Sequence, residues 1–204
     1  MLPAKSVALR RTAAILPLTL MALCVCLPGY KVKNRPIECR LFPEWEAATC
    51  QQMSDGSVVV SQRSLAQLSF GPEGLSSIII WDKGLYFVNR YGKTAPAFVF
   101  DNGPDDVVEG LARSTKDHKI GFVNTKLDVI IAPVWDFAYP FENGVAVVCT
   151  GCVEPERNTY EHAMPVGGKW GYIDRSGRTV VPVIYDWGQL PSVEAVARQA
   201  STRR

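Results

Sequence analysis

Six cysteines, two histidines and one pair of adjacent aspartates have the strongest claim to chemistry in this 204-residue chain. Cys149-Thr150-Gly151-Cys152 is the sharpest spacing. Three chemistries use it. A structural disulfide needs only an oxidising compartment. A redox pair gains reactivity at a helix N-terminus, where the dipole lowers the thiol pKa. Here the pair follows a strand-like run, Val145 to Val148, and precedes a polar stretch containing Pro155. A zinc site requires two further ligands, and His118 and His162 are the only histidines. Cys39 and Cys50 form a second local pair. The economical connectivity is Cys39–Cys50 and Cys149–Cys152. By chain entropy the first staple contributes roughly 2–3 kcal/mol.

The remaining candidates are weaker. Gly103-Pro104-Asp105-Asp106 reads as a solvated turn more readily than as an acid/base pair. Asp101 precedes it, but the glutamate of a twelve-residue calcium loop is missing. Ser176 follows no Gly-x-Ser-x-Gly pattern, and no phosphate-binding glycine loop occurs. His162 lies beside Tyr160 and Glu161 in a polar stretch and reads as a loop residue. No catalytic constellation emerges, so the expectation is a non-enzyme with neither cofactor nor metal.

The N-terminus reads as an export signal over residues 1–28. Lys5, Arg10 and Arg11 form a basic region, and Ala13 to Leu27 is apolar apart from Pro17 and Thr19. As a helix that run spans roughly 22 Å, short of the ~30 Å hydrocarbon core, so a cleaved leader fits better than a membrane anchor. Cys24 and Cys26 leave a lipid anchor open, which is the one expected route to a membrane. The three leader cations belong to the 22 in the chain, so residues 29–204 hold 19 against 20 acids. That balance gives no general attraction to nucleic acid. The expected location is the periplasm or envelope of a bacterium.

Positioning elements follow from a repeat. Tyr86-Phe87-Val88-Asn89, Gly121-Phe122-Val123-Asn124 and Gly171-Tyr172-Ile173-Asp174 line up, and Asp101, Asp136 and Asp186 each follow at the same offset. Pro96, Pro133 and Pro182 lie near the end of each return strand. Gly110-Leu111-Ala112 and Gly144-Val145-Ala146 open two of the units. Each unit reads as about three short strands that cannot bury both faces alone, so neighbours must cover it. The polar stretch from Val153 to Gly168 reads as an inserted surface loop with the Cys149–Cys152 pair at its mouth. In the last hairpin, Thr179 to Val181 reads as a return strand stopped by Pro182. Trp170 and Tyr172, two apart, are expected on one strand face with Ile173 opposite. That aromatic face is either repeat core or a binding surface. Asp186 is expected to bond within its own turn, Asp186-Trp187-Gly188. Outside the repeats, residues 43–52 read as a short helix and Ala66 to Phe70 as a weak strand. Residues 193–197 read as the first strand of a further unit, followed by a disordered tail.

Lys169-Trp170-Gly171-Tyr172-Ile173-Asp174, Gly177, Val181-Pro182 and Tyr185-Asp186 resemble the WG-repeat family. The second copy has Ile120 for the tryptophan and Leu127 for the turn glycine; the first has Leu85-Tyr86 for Trp-Gly but keeps Gly92. The resemblance covers residues 70–190 and implies an all-β domain of tandem meander or hairpin repeats, stacked into an open or solenoid-like assembly with a short N-terminal extension. It implies no shared catalytic activity. The expected organisation is a leader over 1–28, a disulfide-stapled region over 29–69, the repeat domain over 70–190, and a partial repeat with a tail over 191–204. The expected function is an exported module binding a protein, peptide or glycan. A thiol or metal role for Cys149 and Cys152 is the alternative.

Overall fold

Short β-branched and aromatic runs punctuated by turn residues form antiparallel strands throughout. A computed structural model describes residues 34–99, 103–153 and 164–201. The leader therefore lies outside the described residues, as do Asp101 and His162 with its neighbours. Strands β1 (Arg35–Phe42), β2 (Ala47–Gln52) and β3 (Val58–Val60) come first, followed by helix α1 (Gln62–Leu65). Three meanders follow. The first is β4 (Leu75–Ile80), β5 (Gly84–Asn89) and β6 (Thr94–Pro96). The second is β7 (Leu111–Lys116), β8 (Lys119–Asn124) and β9 (Val129–Trp135). After the short β10 (Phe137–Ala138), the third is β11 (Val145–Val153), β12 (Val166–Asp174) and β13 (Thr179–Tyr185). A 3-10 turn at Trp187–Gln189 leads to helix α2 (Val193–Ser201).

The N-terminal strands belong to the first meander's sheet, whose order is β3-β2-β1-β4-β5-β6. The two edges of that sheet meet. Val59 bridges to Lys93, Val60 N–H donates to Gly92 O at 2.9 Å, and Thr94 Oγ1 donates to Val58 O at 2.8 Å. The curled sheet encloses Leu41, Val60, Ile78, Ile80 and Val88 together with the Cys39–Cys50 disulfide. The expected short extension is therefore a partner in the first core.

The meanders pack in series. Adjacent residues of each central strand point opposite ways. In β5, Val88 packs with the N-terminal strands while Phe87 joins Val123 and Leu127 of the second meander. In β8, Val123 faces back and Phe122 joins Ile173 of the third. In β12, Ile173 faces back and Tyr172 packs against Val196 and Ala197 of α2. The helix occupies the place a fourth meander would take.

Several local expectations are corrected. Residues 47–52 are strand, because Cys50 must turn inward to reach Cys39 and β2 pairs along β1. Residues 62–65 are helical, with Ser61 Oγ accepting from Ser64 N–H, and Ala66 to Phe70 holds no strand. Residues 193–201 form α2, whose Val193, Val196, Ala197 and Ala200 share one face at helical spacing. Pro182 does not stop the return strand: β13 runs on to Tyr185 through an irregular register.

Candidate binding cleft

Three turns are built alike. Asn89, Asn124 and Asp174 each end a central strand, and one side-chain oxygen accepts from the N–H groups two and four residues on, at 2.9–3.1 Å. The third residue after each lies at positive φ: Gly92 at 85°, Leu127 at 61° and Gly177 at 84°. Asp174 is buried, which pushes its carboxyl up. Bonds from Ser176 and Arg178 outweigh this and hold it at about 2. The repeat made these three residues visible, but their turn role carried no signal beyond residue type.

The glycine of the motif answers to its partner strand. In β12 and β13, Trp170 pairs with Tyr185 and Tyr172 with Val181, so β13 carries extra residues opposite Gly171. A Cβ on Gly171 would lie 2.6 Å from Val181 O and 2.7 Å from Pro182 O. The second meander repeats this pattern: Ile120 pairs with Trp135 and Phe122 with Ile131, and a Cβ on Gly121 would meet Pro133 N at 2.6 Å. The first meander has Tyr86 at this place and no such shift, with Tyr86 opposite Pro96.

The motif rings are core. Phe87, Phe122, Trp170 and Tyr172 are all buried. Trp170 Nε1 donates to Gly167 O at 2.9 Å, and Tyr172 OH donates to Pro191 O at 2.8 Å. Trp170 shares a cluster with Ile173, and Tyr172 lies in the one under α2. This corrects the expected split: the two rings are covered by different neighbours, Trp170 by the cluster between the second and third meanders and Tyr172 by α2.

The aspartates are partners of lysines. Lys119 reaches Asp136 at 2.5 Å, and Lys169 reaches Asp186 at 2.8 Å. Asp186 makes no side-chain bond to its own turn, correcting that expectation, because the equivalent lysine on the neighbouring strand takes its carboxylate. Asp136 does more. Its other oxygen accepts from Gly151 N–H at 2.8 Å, and with the Lys119 bond this depresses its carboxyl pKa. Asp101 lies outside the described residues. Asp105, half of the adjacent pair expected in a solvated turn, is instead half-buried in a bidentate pair with Arg113, both bonds 2.7 Å, because the buried guanidinium needs an anion. Arg113 also donates to Ala138 O and lies over the Phe98 ring, tying adjoining meanders together.

The insertion replaces one turn. Asp117 and His118 close the β7–β8 hairpin, where Lys116 pairs with Lys119. In the third meander the matching pair is Thr150 and Lys169, and residues 151–168 stand between them. The arms continue as strand, with Cys152 opposite Gly167 and Val153 opposite Val166. Cys149 and Cys152 are disulfide-bonded and buried in β11, close under the backbone of Gly168. Neither lies at a helix N-terminus. Among the described residues no three His, Cys, Asp or Glu side chains gather as a metal set.

Beside this hairpin base lies an open cleft of about 840 Å³, walled by Lys83, Tyr86, Phe98, Lys116, His118 and Cys152 among others. Burial pushes the Tyr86 hydroxyl pKa up. Lys83 and Lys116 make no ion pair among the described residues. A second hollow, about 520 Å³, lies between the third meander and α2. Its polar walls are committed: Arg175 donates to Glu109 O, and Arg178 pairs with Asp174. The cleft thus brings together Tyr86, Asp136 and Cys152 from the sequence reading. Gly121, Phe122, Trp170, Gly171 and Tyr172 serve the core. Lys83 and Lys116 escaped that reading, and His118 entered it only as a possible zinc ligand, because single polar residues at hairpin tips leave no pattern.

No helix among the described residues is long and apolar enough to cross a membrane. No curated protein and no solved structure matches the chain. A family model described as WG containing repeat matches residues 120–151 and 170–189. The first meander shares the Asn89 turn and the stacking order but lies outside that match. The chain carries WG-containing repeats in its second and third meanders.

Proposed function

We propose that the chain is an exported, non-enzymatic repeat module that binds a partner in the cell envelope through the cleft beside Lys116. One observation carries this reading. The motif rings are buried in the core, whereas the cleft joins a half-buried tyrosine ring to two lysines that have no ion-pair partner among the described residues. Ligand sites combine apolar walls with a few placed polar groups in this way. Two carboxylates line it: Asp136 holds Lys119 and Gly151, and Asp117 stands at the tip of the β7–β8 hairpin. Export is supported by two disulfides closed inside sheets, a usage typical of oxidising compartments.

The test is affinity capture from the envelope of the producing cell, comparing the wild-type chain with Thr115→Trp. Thr115 lines the cleft, so a larger ring there fills it. The reading expects specific capture by the wild type and loss in the folded variant. Equal capture by both would move the binding surface elsewhere.

A further inference from the structure

We infer that the cleft recognises an extended acidic peptide segment, adding to the free edge of β7 with its carboxylates on Lys83 and Lys116. This rests on the binding role proposed above. Among the described residues, strand β7 is hydrogen-bonded to one strand, β8, so its other edge is unpaired by strand. Near the base of the cleft that edge is occupied: Phe98 N–H donates to Arg113 O at 3.2 Å, and Ser114 Oγ donates to Pro96 O at 2.6 Å. Beyond Ser114 no described strand is hydrogen-bonded to that edge, and Thr115 and Lys116 line the cleft together with Pro96 of β6. An exposed strand edge supplies main-chain donors and acceptors to an extended peptide. A glycan cannot continue that ladder, which is why a peptide is favoured.

The charge of the walls selects the side chains. Lys83 stands on one side and Lys116 on the other. Asp136 contributes little free charge, because Lys119 pairs with it. Asp117 is the remaining acid, beside His118 at the hairpin tip. Among the described residues, two cations without ion pairs therefore face Asp117 and the lysine-paired Asp136, and Tyr86 and Phe98 provide apolar contact for residues between the carboxylates. Electrostatic complementarity of this kind sets specificity and makes binding salt-sensitive.

Fluorescence anisotropy on the mature chain tests this, using a labelled decapeptide of alternating Glu and Val. The controls are its Gln analogue, its Lys analogue and an oligogalacturonate of similar charge. The expected result is binding of the Glu peptide alone, weakening as salt rises. The double variant Lys83→Gln, Lys116→Gln should weaken it roughly fivefold or more, as the loss of two exposed ion pairs implies. Both sites are at the surface, and an unchanged melting temperature shows that the variant folds. Equal binding of the Glu and Gln peptides, an unaffected double variant, or binding of the oligogalacturonate in place of the peptide would overturn the inference. If Thr115→Trp abolishes envelope capture while the Glu peptide fails, this inference falls and the binding role stands.

Discussion

At the scale of single residues, the motif glycine is explained by what crosses over it. The bulged return strand leaves no room for a side chain at position 171. Gly171→Ala is therefore expected to destabilise by about 1–3 kcal/mol, the usual cost of overpacking. Gly188→Ala, with nothing near its Cβ, should be close to neutral; urea melts compare the two. Leu127 shows the same logic inverted. It holds a left-handed φ at a cost of about 1–2 kcal/mol, yet its side chain is buried between the first two meanders. That burial, about 1.5–3 kcal/mol, offsets the strain and accounts for leucine where its counterparts have glycine. Asp174 sets an acid dependence. Its carboxyl is held at about 2, below its ordinary 3.8, so the stabilisation is full above the ordinary value and is lost as pH falls through about 2. The amount is about 2 kcal/mol. Asp174→Asn keeps the turn acceptor, as Asn89 and Asn124 do, and should remove that part of the slope in pH-dependent unfolding.

At the scale of elements, the strands and their triplication were legible because β-branched runs, turn residues and a recurring offset coincide. The buried triplets and the place of the insertion sit where the repeat puts them, whereas the lysine partners of Asp136 and Asp186 were not read from it. Three elements were hidden for separate reasons. Strand β2 has a weak alternation and is drawn into line by β1 and a disulfide. Helix α1 is one capped turn. Helix α2 is short, and its Val-Ala run mimics the opening strand of a meander; only the cluster beneath it, with Tyr172 and Val181, reveals a helix. As the cover of the last meander, α2 should matter beyond its length. Val196→Asp, placing a charge at a buried position, is expected to cost about 2 kcal/mol or more and to raise binding of a hydrophobic dye. An unchanged melt with no dye binding would show that the helix covers nothing of consequence.

At the scale of the whole molecule, the chain is a short series. The disulfide-bearing strands close one end, the meanders follow with a shared turn, and α2 closes the other. In such a series each face is buried by its successor, so the motif residues are structural, and the binding role we propose is assigned to the hairpin tips and inserted arms. The cleft was not legible in the sequence, since its walls come from tips that only stacking brings together. Chain isolated from its native setting should lack the leader by mass and show all four of Cys39, Cys50, Cys149 and Cys152 blocked to thiol labelling. A free Cys149–Cys152 pair would contradict the reading and favour thiol chemistry. The central claim, partner binding at the cleft, is tested most directly by photo-crosslinking in the producing cell. A photoreactive residue goes at Thr115 on the cleft wall and, separately, at Val129, exposed at the far end of β9. The account predicts a discrete cross-linked partner from position 115 and none from 129. The same partner from both positions, or from 129 alone, would contradict it.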